Sequence, residues 1–284
     1  MNEIRQIGIV GGGLSGSAIA RLAALAGYQV HICEISQYAL NLAFEKSSTF
    51  LRRQALRGKI SNHEVREVLA RVHGTIDIHD LKDSELIIEA VPEDLATKIR
   101  VMKEVDHVCS ENTMFASHTS SLSVTEIATA TQRPDKVVGL HFFHPIHVMK
   151  LVEIVQTSLV DRTVLDSIHN FVKSLKKEPI IVGDSPGFIV NRLLIAYLFG
   201  AIRMFESGVA TKEDIDKAME VGCGYPMGPF ALIDFMGLDQ VCTIAEHLYQ
   251  ECQDQQFSPP PLLKRLVEAG NLGKKSGKGF YKYP

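Results

Sequence analysis

Apolar residues along the chain gather into short runs separated by amphipathic stretches, and the pattern changes once. Residues 7–10 form an apolar run that ends in glycines, followed by a helical stretch over 14–26 and a second apolar run over 28–33. This reads as strand, glycine turn, helix, strand. Further apolar runs at 86–90, 113–116 and 137–140 are separated by helical patterns such as 64–72 and 94–108. Runs this short, apolar throughout and alternating with helices, predict a doubly wound α/β fold: a mainly parallel sheet covered by helices on both faces.

The change comes after the run 179–182, at the turn-rich Asp184-Ser-Pro-Gly. Beyond it the strand pattern stops. Helices are expected over 188–206, over 212–220 with Thr211 as N-cap, and over 229–235 and 238–251. Ser258-Pro-Pro-Pro interrupts the helical run, and a last helix leads to a glycine- and lysine-rich tail. A domain boundary is therefore expected at about residue 185, with an α/β domain over 1–185 and an all-α domain over 186–284. No internal repeat or low-complexity tract intervenes.

At 284 residues the chain is long enough for one large and one small core. Lys and Arg total 30 against 33 Asp and Glu, a balance that offers no overall field for nucleic acid or anionic lipid. Neither partner is expected. The five cysteines, Cys33, Cys109, Cys223, Cys242 and Cys252, contain no Cys-x-x-Cys pair. They read as small buried apolar residues in a reducing compartment. Met1-Asn-Glu-Ile-Arg runs straight into the first apolar run, and no segment reaches the roughly 18 uninterrupted apolar residues of a membrane span. A soluble, cytoplasmic protein is the expectation.

Gly11-Gly-Gly13-Leu14-Ser15-Gly16 directly follows the first strand and opens a helix. That context turns a common glycine pattern into a dinucleotide-binding signature and makes the first domain Rossmann-type. Gly11 permits the tight turn, Gly13 lets the backbone approach a pyrophosphate, and Gly16 allows the helix to pack on the strand. The phosphates would sit on the exposed N–H groups at the positive end of that helix. Glu34 ends the second strand, 18 residues beyond Gly16, close to the spacing of the acid that binds the adenosine ribose. A carboxylate there repels a 2′-phosphate, so NAD is expected rather than NADP. FAD uses the same fingerprint and is the competing cofactor.

His141-Phe-Phe-His144-Pro ends a strand and is followed by Met149-Lys-Leu-Val-Glu153, which puts ionisable groups at the carboxyl edge of the sheet, where open α/β folds bind ligands. Ser117-His118-Thr-Ser120-Ser121 supplies hydroxyls at the same edge, and Pro186-Gly-Phe-Ile-Val-Asn191-Arg192 starts the helical domain with an amide. Hydride transfer to a nicotinamide requires a group that takes the alcohol proton, and an imidazole suits that task near neutral pH. A carboxylate on its other nitrogen would fix the tautomer. Taken alone, an edge histidine is more often structural than catalytic, and spacing by itself does not identify a dyad.

Glu89-Ala90-Val91-Pro-Glu93, Thr119-Ser-Ser-Leu-Ser, His141-Phe-Phe-x-Pro, Lys150-Leu-Val-Glu153, Asp184-Ser-Pro-Gly-Phe-Ile-Val-Asn191-Arg192, Pro226-Met-Gly-Pro229 and Gly277-Lys-Gly-Phe-Tyr281 together resemble the 3-hydroxyacyl-CoA dehydrogenase family, including 3-hydroxybutyryl-CoA dehydrogenases. The motifs occur in the family's order over almost the whole chain. The resemblance implies NAD-dependent interconversion of (S)-3-hydroxyacyl-CoA and 3-ketoacyl-CoA, as in fatty-acid β-oxidation and butanoate metabolism. It implies a His141–Glu153 dyad, with Ser120 and Asn191 holding the substrate. Cofactor contacts would come from the glycine turn, Glu34, Ala90, Val91, Glu93, Lys98, His118, Ser120, His144 and, from the tail, Lys275. A helix over 39–57 would bring Arg53 and Arg57 toward the coenzyme A phosphates, although a solvated basic face reads equally well. Two helical domains would pair in a homodimer.

Four positions depart from the family's usual pattern. Relatives carry Asn at 118 and at 144, Asp at 34, and Gly-x-Met-Gly over 13–16. The two histidines leave open the acyl-chain length and whether coenzyme A or an acyl carrier protein bears the substrate. Two other classes of function compete. His141, His144 and His147 stand three apart, so a metal site needs a turn at His144-Pro145 to bring them together; none is expected. A cofactor-binding subunit without chemistry is disfavoured because Ser120, His141, Glu153 and Asn191 are all present.

Overall fold

The computed structural model describes residues 4–283; Met1-Asn-Glu3, at the start of the segment read for targeting signals, lies outside the described residues. The chain divides into two compact units, Met1–Asp184 and Ser185–Pro284.

The first unit is built on eight strands in the order β3-β2-β1-β4-β5-β6-β7-β8. They are β1 (Gln6–Val10), β2 (Gln29–Cys33), β3 (Val72–Thr75), β4 (Leu86–Glu89), β5 (Met114–Ser117), β6 (Val137–Phe142), β7 (Leu151–Gln156) and β8 (Glu178–Gly183). The first six are mutually parallel, β7 runs antiparallel to β6, and β8 is parallel to β7. Successive residues of a strand point to opposite faces, and the central strands β4, β5 and β6 bury both, whereas the edge strand β8 is largely exposed. Leu86 and Ile88 of β4 face a core shared with α1 (Leu14–Leu25), α2 (Gln37–Leu56), α3 (Asn62–Arg71) and α6 (Arg162–Ser174). Ile87 faces a second core with α4 (Leu95–Val108) and α5 (Val124–Thr129). Each fully buried Ile or Leu side chain contributes about 1.5–3 kcal/mol, which stabilises the central runs as strands.

The structure differs from the sequence reading at several places. The helix expected to reach residue 72 ends at Arg71, and Val72 begins the edge strand β3. The sequence pattern predicts neither β7 nor α6. In β7 the buried Glu153 interrupts an apolar run, whereas α6 buries Val164, Leu165, Ile168, Phe171 and Val172 at helical spacing. The cysteines divide: Cys33, Cys109 and Cys242 are buried, Cys252 is half-buried and Cys223 is exposed. Cys223 is the last residue of the helix Lys212–Cys223 in the second unit.

The second unit consists of α7 (Val190–Glu206), α8 (Lys212–Cys223), α9 (Pro229–Met236), α10 (Leu238–Cys252) and α11 (Pro261–Glu268) around one apolar core. Among the described residues its only β pairing is two isolated bridges in the tail. Thr211 caps α8 by accepting from the Asp214 N–H at 3.1 Å. Two buried carboxylates organise the rest. Asp216 accepts from the N–H groups of Phe230 and Ala231 at the start of α9 and from the Tyr281 hydroxyl. Asp234 accepts from the N–H groups of Phe280 and Tyr281 and from the Tyr283 hydroxyl, which ties down the tail. These bonds explain two of the glycine motifs. A Cβ on Gly228 would come within 2.3 Å of Asp216, and one on Gly279 within 2.0 Å of the Asp234 carboxylate.

Candidate active site

The glycine turn takes the shape its sequence implies. Gly11 has φ +96°, and a Cβ there would meet the Ala90 carbonyl at 2.8 Å; a Cβ on Gly16 would strike the Gly11 carbonyl at 1.8 Å. At Gly13, the residue before α1, no protein atom lies within 4 Å of the Cβ position. The turn is thus packed tightly at Gly11 and Gly16 and open at Gly13, the arrangement a pyrophosphate needs. Glu34 lies beside it, with Oε1 accepting from the Gly12 N–H at 2.6 Å and Oε2 from the Ile35 N–H. A carboxylate has room for about four hydrogen bonds, so both oxygens retain acceptor capacity.

A buried polar network begins at the end of β4. Glu89 and Lys98 are both fully enclosed. The Lys98 ammonium lies 2.9 Å from Glu89 Oε1 and 3.5 Å from Glu93 Oε2, and donates to the His118 carbonyl at 2.8 Å. Glu89 also accepts from the Ser117 hydroxyl at 2.5 Å and the Val91 N–H at 2.8 Å. Glu93 Oε1 accepts from the Thr119 hydroxyl, the Ser120 N–H and the Ser120 hydroxyl. Burial raises the Glu89 carboxyl above the ordinary glutamate range despite Lys98. At Glu93 burial pushes the same way, but the Lys98 charge and the bonds from Thr119 and Ser120 prevail and hold it below that range.

Lys98 and Glu93 therefore stand differently toward the resemblance. Glu93 keeps part of its side chain open, whereas Lys98, expected at the cofactor ribose, is sealed among carboxylates and carbonyls.

At the carboxyl end of β6, His141 pairs in register with Glu153 of β7. Nδ1 of His141 lies 2.7 Å from Oε2 of Glu153, and the two residues are 5% and 1% exposed. The Phe143 ring packs on the imidazole, with centroids 4.2 Å apart. His118, at the end of β5, donates from Nδ1 to the Leu140 carbonyl at 2.9 Å. Burial, reinforced by the charges of Lys98 and His141, brings its pKa down to about 4, although the bond to Leu140 opposes the shift. His118 is thus neutral at pH 7 and carries a lone pair on Nε2. His144 meets Ser15 of the glycine turn, Oγ to Nε2 at 3.0 Å, and is likewise shifted downward by burial and by His141.

The acid limb of stability should report His118. Above pH 6.5 the ring is neutral in both folded and unfolded chains. Below it the unfolded chain takes up a proton that the folded ring refuses until about pH 4, so stability is lost as pH falls through that window. In urea unfolding at pH 7 and 4.5, His118→Asn should lose about 2–3 kcal/mol less than wild type between the two conditions. Equal losses in both proteins would show that the ring is accessible to protons.

The remaining expected site residues are on other elements. Arg53 and Arg57 are exposed at the C-terminal end of α2. In the second unit Asn191 is buried in the first turn of α7, and the Lys275 ammonium bonds Asp239 at 2.6 Å. Three site features are not predicted by the sequence: Glu89 as the partner of both Lys98 and Ser117, the Ser15–His144 bond, and Phe143 on the imidazole. Only Glu89 left a signal, as a charge inside the otherwise apolar run 86–90. The metal reading finds no support, since His141 bonds Glu153, His144 bonds Ser15 and His147 packs on Phe50. Among the described residues no group of three or more His, Cys, Asp and Glu could hold an ion.

A glycine turn between the first strand of a parallel sheet and its helix, with an acid closing the second strand, defines a dinucleotide-binding protein of the Rossmann class. The comparisons narrow this. Residues 6–185 match the family model for the 3-hydroxyacyl-CoA dehydrogenase NAD-binding domain, and residues 187–283 that for the C-terminal domain of the same enzymes. A 3-hydroxybutyryl-CoA dehydrogenase from Clostridioides difficile is 42% identical over 278 residues, covering 98% of this chain and 99% of that protein. The human mitochondrial hydroxyacyl-coenzyme A dehydrogenase is 40% identical over 287 residues, covering 99% and 91%. The crystal structure of (S)-3-hydroxybutyryl-CoA dehydrogenase from Ralstonia eutropha superimposes with a TM-score of 0.94 at 38% identity, covering 99% of this chain and all of that one. The chain belongs to the 3-hydroxyacyl-CoA dehydrogenase family, its cofactor is NAD, and it is an oxidoreductase. Among the described residues no helix is long and apolar enough to cross a membrane.

Proposed function

We propose that the protein interconverts (S)-3-hydroxyacyl-CoA and 3-ketoacyl-CoA, with His141 as the acid/base and Glu153 as its orienting partner. The observation that carries this reading is the buried 2.7 Å contact between His141 Nδ1 and Glu153 Oε2, at the sheet edge where β1 delivers the glycine turn. Bound NAD supplies or accepts the hydride. Gly11, Gly13, Leu14, Ser15 and Gly16 would hold its pyrophosphate and Glu34 its adenosine ribose, with Ala90, Val91, Glu93, His118, Ser120, His144 and Lys275 completing the contacts. Lys98 acts from behind, through Glu93.

Glu153 fixes the Nδ1–H tautomer of His141, which puts the proton-accepting lone pair on Nε2. In the oxidative direction Nε2 takes the 3-hydroxyl proton, and the Glu153 carboxylate stabilises the imidazolium that forms. In the reductive direction the same proton returns to the ketone oxygen. Ser120, held by Glu93, and Asn191 are assigned to the reacting oxygen and the thioester. The coenzyme A handle is assigned to Arg53 and Arg57. A homodimer through the second unit is supported by its exposed Leu193, Val209, Val221 and Phe235.

The test is an NADH-absorbance assay over 3-ketoacyl thioesters from about four to sixteen carbons, on coenzyme A and on carrier protein. Turnover with the coenzyme A series is expected, with NADH at least about 10²-fold better than NADPH, because Glu34 would face a 2′-phosphate. A preference for NADPH would overturn the reading of Glu34, and turnover on carrier protein alone would replace the substrate.

A further inference from the structure

One buried cation is left over by this chemistry. Lys177, just before β8, is 7% exposed, and its ammonium donates to the carbonyls of Ile146 at 2.5 Å and Met149 at 2.6 Å. No carboxylate among the described residues pairs with it. An enclosed ammonium without a counter-ion is costly unless its protons find acceptors. Here both acceptors belong to one loop.

That loop, residues 143–150, joins β6 to β7. Antiparallel neighbours usually connect through about 2–5 residues, so eight is long, and its own backbone bonds are those from the Val148 and Met149 N–H groups to the Pro145 carbonyl. Yet two of its histidines reach other elements. His144 bonds Ser15 at the glycine turn, and His147 stacks edge-on against Phe50 of α2 at 4.9 Å. The register of the dyad is set outside the loop, because the His141–Glu153 pair is flanked in the ladder by Leu140–Ile154 and Phe142–Val152, while Phe143, the loop's first residue, packs on the imidazole.

We propose that Lys177 is a positioning residue for the cofactor site: by clamping the loop through the carbonyls of Ile146 and Met149, it fixes His144 against the glycine turn. This rests on the reading of His144 as a cofactor contact. It separates two kinetic parameters. Losing the clamp should displace His144 without moving the dyad, so NADH binding suffers and the proton-transfer step does not.

The experiment compares wild type, Lys177→Met, Lys177→Arg and His144→Ala by steady-state kinetics with a 3-ketoacyl-CoA, well below the melting temperature. Lys177→Met should raise the KM for NADH by about tenfold, leave kcat at saturating NADH within about threefold, and keep the pH profile of kcat. Lys177→Arg, which still donates to both carbonyls, should recover most of the KM. A merely structural lysine would lower kcat with the active fraction and leave KM unchanged, and that result overturns the proposal. If His144→Ala raises the KM for NADH and Lys177→Met does not, the clamp is wrong while the His144 reading stands. If neither does, the His144 reading fails and takes the clamp with it. Should Lys177→Met not fold, Lys177→Gln, which keeps one donor group, replaces it under the same criteria.

Discussion

Replacing His141 by glutamine is expected to slow turnover by about 10²–10⁴ while NADH affinity stays within about twofold. The separation follows from where the imidazole sits. Its Nδ1 is bonded to Glu153 in the β6–β7 ladder, on strands that do not form the glycine turn. Glutamine removes the proton acceptor, leaves the sheet register alone and touches none of the pyrophosphate cradle. Glu153→Gln should slow turnover too, by less, because an amide oxygen can still hold Nδ1–H but offers no charge to an imidazolium. Fluorescence titration with NADH and stopped assays with a saturating 3-ketoacyl-CoA measure the two quantities separately. If His141→Gln stays within about threefold of wild type and His144→Gln abolishes activity, the base is His144. The ladder would then serve only to bury a pair.

Much of this arrangement is legible in the sequence because it is local. The glycine turn, its strand and its helix are contiguous, so Gly11, Gly13 and Gly16 each have a reason in the sequence alone. Strands buried on both faces read as short apolar runs, and the change of period near residue 185 is a property of neighbouring residues. The dyad is a different case. His141 and Glu153 are twelve apart, and only antiparallel pairing of β6 with β7 makes them partners; β7 was hidden because Glu153, buried at 1% exposure, breaks its apolar run. Without the family resemblance, His141 would have remained one histidine among several.

What stayed hidden depends on charges the fold buries. Lys98 on α4 and Lys177 before β8 look in sequence like solvated cations on mixed helix and turn segments. The structure encloses both, one among carboxylates and one among carbonyls. Ser15 and His144 are 129 residues apart and meet because helix α1 and the β6–β7 loop share the carboxyl edge of the sheet. Two departures from the family's usual residues, at 15 and at 144, are therefore one feature of this chain. Arg53 and Arg57 remain what the sequence allowed, an exposed basic helix end.

Lys98→Met should destabilise the cofactor half by about 3–5 kcal/mol, or roughly 6–20 °C in melting temperature for a unit of this size. The reason is the carboxylate it leaves behind. Glu89 is fully enclosed, and without the ammonium at 2.9 Å its remaining donors are the Ser117 hydroxyl and the Val91 N–H. Burial already raises its pKa, and removing the cation raises it further. A carboxyl whose folded pKa lies above its unfolded value binds more protons when folded, so stability falls as pH rises through the window between the two. The deficit of Lys98→Met should accordingly be larger at pH 8 than at pH 5.5. Calorimetry at the two pH values reads it directly. Glu89→Gln combined with Lys98→Met removes both charges and should recover to within about 1–2 kcal/mol of wild type, since a buried pair replaced as a whole costs far less than one left half-broken. A single Lys98→Met variant that melts within about 2 °C of wild type at pH 8 would mean that Glu89 is already protonated in the native protein. The link from β4 through Lys98 to Glu93 and Ser120 would then be hydrogen bonding alone.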